Sequence, residues 1–498
     1  MNKTAKILLA IVALLLVNFL AKFISFRFDL TDNKEYTLSP ATKEIVRNIE
    51  DKIKVTAYFN DDLPVDLDKS RQDFKDLLSE FYSISSGKVE YEFIAPNKDP
   101  QKQEEAMRAG IQPVMVNVRE KDQAKQLKAF LGAVISKGEQ KDIIPVIQPG
   151  TAMEYSLATG IKKLTVKSKP NIGFIQGHGE APLQELAQVY QTLSILYSVQ
   201  SVYLTDTSDL SKYKTLVIVK PMDSIPDSHF QKLDQFLANG GSMLLAYDQV
   251  DADLQQGNTK VSKTGLAQWL AQKGLEVENA LVRDIACGSV QVQQQSDFFS
   301  FATPIQFPYL PLIQSFSSHQ VTKGLERVIL QFASPMNFKG SQGKNFSSLL
   351  YTSDQSARQA LPIVFDINHQ WDRSEFPERQ ICVGGLLEGN FGGTANARLI
   401  VYGDGDFAIG KGRGQQVNED NVNLLANGVD WLSDDTGLIE LRTKAVDTRP
   451  IKELEDSKRN LYKYVNFLLP VGLVLAYALF RSSMNRKRRN DLMQEKYS

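Results

Sequence analysis

At 498 residues, with 57 basic and 58 acidic side chains, the chain is long enough for two or three domains, and its balanced charge gives no global argument for nucleic acid. Its two cysteines, Cys287 and Cys382, exclude a CxxC-type metal cage and leave open whether they pair or stay free. The four histidines (His178, His229, His319, His369) are scattered without ligand spacing, so no metal or cofactor is expected.

The chain begins MNKTAKILLAIVALLLVNFLAKFISFRF. Lys3 and Lys6 precede an apolar run from Ile7 to Phe26, broken by Asn18, Lys22 and Ser25. A cleaved signal peptide would share the charged start and apolar centre. No small-x-small site leads into a polar mature start, however, and AKFISFRF continues apolar and aromatic. An uncleaved anchor is expected over 1–26, its basic start on the cytoplasmic side.

Residues 27–168 read as a membrane-proximal α/β domain. Ser39 is an N-cap, Pro40 suits the first helical position, and Ile45, Val46 and Ile49 form one apolar face. IKVTAYF (53–59) alternates as a strand, Arg71 to Ser83 is an amphipathic helix, and VEYEFIAP is a second strand. A short helix, EEAMRAG, closes at Gly110. A third strand, PVMVNVRE, follows Pro113; AFLGAVISKGEQKDIIPVI is a hairpin turning at Lys137-Gly138, and EYSLATGIKKLT a closing helix. This order is thioredoxin-like in topology, but the region contains no cysteine, so disulfide exchange is excluded.

Residues 169–440 form the larger domain. KPNIGFIQGHGE is an apolar strand (Asn171 to Gln176) running into the tight turn Gly177-His178-Gly179-Glu180, with a helix from Pro182 onward. YKTLVIVKP and SMLLAYD are buried strands, SHFQKLDQFLANGG a helix with a glycine stop, and ARLIVYGDGDFAIG a strand entering Asp404 and Asp406 before the helix NEDNVNLLANGVDWL. Such alternation predicts a doubly wound, flavodoxin-like core. From Val250 to about Asn390 periodicity is poor, and FPYLPLIQSF reads either as a hydrophobic loop on the core or as a docking patch.

The candidate site residues are Gly177, His178, Gly179, Glu180, Asp404 and Asp406, because loops at the carboxyl edge of a parallel sheet are where open α/β domains bind ligands. The glycines suit the turn, and His178 and Glu180 either tie it or meet a polar ligand such as a glycan or peptide. Catalysis is not expected: a nucleophile elbow needs Ser or Cys where this turn has glycine and histidine. Asp404 and Asp406 either cap the following turns or contribute to a hard-cation site, which would need further carboxylates.

The chain closes on a connector (441–460) that holds Pro450, an apolar segment (461–481) and a basic tail (482–498). Tyr462 and Tyr464 stand where an interfacial aromatic belt belongs, and Arg481, Arg486, Lys487, Arg488 and Arg489 follow the apolar run. Two charge asymmetries agree on one topology, both termini inside and the domains outside. No GxxxxGK[ST] phosphate loop occurs, so the chain cannot itself supply ATPase activity.

RFDLTDNKEYTLSPAT after the first anchor, FIQGHGE, YGDGDF with NLLANGVDWL, and LIELRTK before the last segment together resemble the GldG family, gliding-motility-associated auxiliary subunits of bacterial ABC transporters. The resemblance covers nearly the whole chain in order. It implies a non-catalytic inner-membrane protein with a periplasmic domain, partnered by a multi-spanning permease and a P-loop ATPase. The central domain of that family is similar to a domain of ciliary transport proteins, itself related to class I glutamine amidotransferases without their catalytic residues. The alternative is an envelope glycan- or lipid-binding module independent of a transporter.

Overall fold

The computed structural model describes residues 37–120, 123–147, 153–166, 169–254, 257–296, 299–410, 416–433 and 456–494. The expected N-terminal anchor and most of the connector lie outside them. The chain is a mixed α/β protein in two units, Met1–Asp447 and Thr448–Ser498.

In the first unit, helix α1 (Pro40–Arg47) starts at Ser39, whose Oγ accepts from the Thr42 amide at 3.0 Å, and it buries Val46. Strand β1 (Ile53–Phe59), helix α2 (Val65–Ile84), strand β2 (Val89–Ile94) and helix α3 (Pro100–Arg108) follow. Then come β3 (Val114–Glu120), β4 (Gln123–Ala129), β5 (Leu131–Lys137), β6 (Gln140–Ile144) and helix α4 (Met153–Thr165). The central sheet runs β2-β1-β5-β6, with β1 parallel to β2 and antiparallel to β5. One expectation changes here. The third strand, β3, does not enter this sheet; it pairs with β4 in a separate hairpin. QAKQLKA gives β4 no apolar alternation, so nothing in its pattern announced a strand.

The larger sheet is built from β7 (Asn171–Gln176), β8 (Ser198–Tyr203), β9 (Thr215–Val219), β10 (Ser242–Ala246), β11 (Ser315–Phe316), β12 (Lys344–Tyr351), β13 (Cys382–Asn390) and β14 (Asn396–Tyr402). Its order is β11-β12-β13-β14-β10-β9-β7-β8. The strands β8-β7-β9-β10-β14 are mutually parallel, whereas β13, β12 and β11 extend the sheet antiparallel.

Both faces of the parallel part are covered, which is why TLVIV and SMLLA are apolar at almost every position. Val217, Val219, Leu244, Ala246, Ile400 and Tyr402 pack in one core with helices α5 (Ala187–Ser194) and α7 (Glu419–Ser433). Their alternates Leu216, Ile218, Met243, Leu245, Leu399 and Val401 pack in a second core with α6 (Asp227–Ala238) through Phe230, Leu233, Phe236 and Leu237.

The weakly periodic stretch between β10 and β14 is largely β-structure. Cys287–Ser296 and Phe299–Ile313 form a long antiparallel ribbon. FPYLPLIQSF belongs mainly to its second strand, and Phe307, Tyr309 and Ile313 are buried, which settles that stretch as core. Both cysteines are free.

The second unit holds helix α8 (Asp456–Gln494), which contains Pro470. Among the described residues it carries the one stretch long and apolar enough to cross a membrane, Tyr462–Lys487, with mean hydropathy 1.6. Tyr464, Phe467, Leu473 and Leu475 are all exposed on it.

Candidate functional site

Because β7, β9, β10 and β14 are parallel neighbours, the loops that leave their carboxyl ends meet along one edge of the sheet. The chain order reverses between β7 and β9, the place where loops diverge in an open α/β sheet. Every residue singled out from the sequence lies on this edge.

After β7, Gly177 (φ +121°) and Gly179 (φ +76°) take backbone conformations that side chains rarely adopt. Glu180 folds back over its own turn. Its Oε2 accepts from the His178 amide at 2.6 Å, and its Oε1 lies 2.9 Å from His178 Nδ1. Burial pushes the Glu180 carboxyl up, but the hydrogen bonds from His178 outweigh it and hold the group below the usual range. The His178 carbonyl accepts from Met222 and Asp223 at 2.9 and 2.8 Å, and Ala181 donates to the Val219 carbonyl at 3.0 Å. The turn is thereby locked to the loop after β9. His178 and Glu180 are 3% and 6% exposed. The remaining ring nitrogen, His178 Nε2, lies 2.8 Å from His229 Nδ1 on α6, and His229 Nε2 lies 3.6 Å from Asp206 Oδ1.

Beside this turn sits an ion network. Lys220 follows β9, Asp248 follows β10, and Asp404 and Asp406 follow β14. Lys220 Nζ bonds Asp406 Oδ1 at 2.5 Å, Asp248 Oδ1 accepts from Gly405 N at 2.7 Å, and Asp404 accepts from Asp406 N and Gln331 N, both at 2.6 Å. One oxygen from each carboxylate lies within 4.8 Å of the others. Burial, with the neighbouring Asp248 and Asp406 charges, pushes Asp404 well above the carboxylate range, and burial with the Asp406 charge takes Asp248 to about 7. Burial opposes the charged form of Lys220, but the Asp406, Asp248 and Asp404 carboxylates prevail and raise it. Asp248 adds a third carboxylate to Asp404 and Asp406, and Lys220 supplies a positive charge to the set through Asp406.

Lys220, Asp248, His229 and Asp206 were not among the site residues expected from the sequence. Lys220 and Asp248 had a usable signal, since they stand one and two residues past the carboxyl ends of buried strands. His229 had none, being one polar residue on an amphipathic helix.

Residues 169–432, just over half the chain, match the family described as an ABC-type uncharacterized transport system. The chain belongs to that family. The family description points to an accessory, transport-related role. Residues 32–136 match a separate domain of unknown function. An uncharacterized protein of Borreliella burgdorferi is 24% identical over 266 residues, 52% of this chain and 52% of the relative. The chain thus spans about half the length of the curated relative it matches. Among solved structures, the N-terminal domain of mmIFT52 gives a TM-score of 0.36 at 15% identity, over 53% of this chain and 97% of that one. A ThuA-like protein from Parabacteroides merdae gives 0.30 at 13%, over 58% and 94%. Scores at that level carry no weight for fold or function.

Proposed function

We propose that the protein is a non-catalytic, membrane-held auxiliary subunit of a bacterial ABC transport system. Its domains stand on the periplasmic side and couple to, or capture substrate for, a separate permease and ATPase. The observation that carries this reading is the family match across 169–432. The largely apolar helix Tyr462–Lys487, exposed at its described side chains, with Arg481, Arg486 and Lys487 at its end, supports an inner-membrane anchor whose carboxyl end is cytoplasmic. Resemblance to the GldG family extends the reading to gliding motility. The sheet order β2-β1-β5-β6 supports a thioredoxin-like membrane-proximal domain, and β8-β7-β9-β10-β14 a flavodoxin-like core.

Native co-purification in mild detergent, with mass spectrometry of what is retained, tests the proposal. A multi-spanning permease and a P-loop ATPase in fixed ratio are the expected result. Recovery of the protein alone from its native membrane would overturn it.

One observation favours a second role for the same domain. Gly177, His178, Gly179, Glu180, Asp404 and Asp406 are brought to one sheet edge, where a polar envelope ligand such as a glycan or peptide would be held. A glycan or peptide array probed with the full chain tests this. Binding unchanged by His178→Ala and Glu180→Ala would remove the turn from the site.

A further inference from the structure

Glu180, His178, His229 and Asp206 stand in a row across three separate segments: the turn after β7, helix α6 and the loop after β8. The hydrogen-bonding capacity of each fixes the protons along it. Ionised Glu180 only accepts, so His178 carries its proton on Nδ1. A neutral His178 then presents a lone pair at Nε2, and the 2.8 Å contact requires His229 to donate from Nδ1. With His229 neutral, its Nε2 lone pair faces the Asp206 carboxylate, 3.6 Å away, acceptor against acceptor.

We infer that His229 is a one-proton latch, which on protonation at Nε2 ties the Asp206 loop to helix α6 and, through His178, to the turn after β7. With that proton in place every donor in the row meets an acceptor: Asp206 with His229 Nε2, His229 Nδ1 with His178 Nε2, His178 Nδ1 with Glu180. A second proton, on His178 Nε2, would set two N–H groups and two positive charges against each other across the same contact and break it. The row therefore accepts one proton by closing and a second by opening.

Other charged groups stand around the row. Asp223 lies beside Gly179, its Oδ2 3.1 Å from where a Cβ would stand. Asp227 is in the first turn of α6, and Asp209 is on the Asp206 loop. Two cations act on Asp209 of this loop, Lys212 and Lys232, and Lys232 is turned to the Ser208 carbonyl at 3.3 Å. The amides of the first turn of α6 oppose a cation at that end of the helix. His229 is largely enclosed, its side chain 14% exposed, whereas Asp206 is 74% exposed and free to swing. The latch thus moves the surface loop and leaves the core in place. It is independent of any transporter partner.

Hydrogen exchange of the full chain in detergent, at pH 5.5 and pH 8 and corrected for the intrinsic pH dependence of exchange, tests the inference. Amides of the loop after β8 should be about threefold better protected at pH 5.5, the size of one partly exposed ion pair. The difference should vanish in Asp206→Asn, a surface change that leaves the fold intact, and in His229→Gln. Equal protection at the two pH values, or a difference that survives Asp206→Asn, would overturn the latch. Selective 15N-histidine labelling gives a second reading, since the chain holds only four histidines. A proton on His178 Nδ1 with Nε2 bare at pH 8 is expected, and the opposite tautomer would overturn the assignment.

Discussion

Lys220 Nζ and Asp406 Oδ1 meet at 2.5 Å although 186 positions separate them. The contact crosses from the loop after β9 to the loop after β14, over the end of the intervening strand β10. It pins the two halves of the parallel sheet at their carboxyl edge, and Lys220 makes it from a left-handed backbone conformation, φ +52°. One ammonium there answers three carboxylates, and the stability of that edge follows from the imbalance.

Lys220→Met should lower stability by about 3 kcal/mol at pH 8, because it leaves enclosed carboxylates without their counter-charge. At pH 5, where Asp248 holds a proton, the loss should be clearly smaller. Thermal or denaturant unfolding of the full chain in detergent at both pH values measures this. Equal losses would show that Lys220 acts through packing alone.

Asp248 supplies the sign of a pH dependence. Its folded carboxyl titrates at about 7 against an ordinary value of 3.8, so the folded state holds the proton more tightly than the unfolded state. Its contribution to stability therefore falls as pH rises from about 4 to about 7 and is constant above. Asp248→Asn keeps an oxygen for the Gly405 amide and removes the charge. It should stabilise the protein by about 2 kcal/mol at pH 8 and flatten the profile between pH 4 and 7. A melting curve series that keeps the wild-type slope would contradict this account.

Gly403 joins β14 to the site and lies against Ser334 of the β-rich stretch between β10 and β14. A Cβ there would stand 2.3 Å from the Ser334 carbonyl oxygen, a backbone atom that cannot rotate away, and the Ser334 amide donates to the Gly403 carbonyl at 2.8 Å. Gly403→Ala should cost about 3 kcal/mol. Gly138→Ala, in open space at the β5–β6 turn, should cost about 1 kcal/mol from its positive φ alone. Similar unfolding midpoints for the two variants would show that the stretch between β10 and β14 yields easily at Ser334.

Helix α7 is held to the sheet domain by a buried polar contact, the Tyr197 hydroxyl donating to the Asp430 carboxylate. Tyr197→Phe conserves the ring and removes one donor from a buried charge. A loss of about 2 kcal/mol is expected, read from denaturant midpoints at constant slope. A neutral result would mean that the other contacts of Asp430 suffice.

Much of the local architecture was legible because it is dictated by neighbours in the chain. Ser39 and Pro40 define the start of α1 by capping and by a preset φ, TLVIV and SMLLA announce strands covered on both faces, and the glycines around His178 announce a tight turn. An apolar run such as Tyr462–Lys487 is likewise a property of composition, visible without any fold. Pairing was not legible in this way. Whether β3 joins the central sheet or pairs with β4 depends on what else competes for its edge, and FPYLPLIQSF became core only when Phe365 and Phe332 closed over Phe307. The site shows the same division. The sequence marked His178, Glu180, Asp404 and Asp406 by their positions after strands. Only the parallel order of β7, β9, β10 and β14 brought Lys220 to Asp406 and His229 to His178, because a contact between residues far apart in the chain has no local signature and is decided by which strands lie side by side.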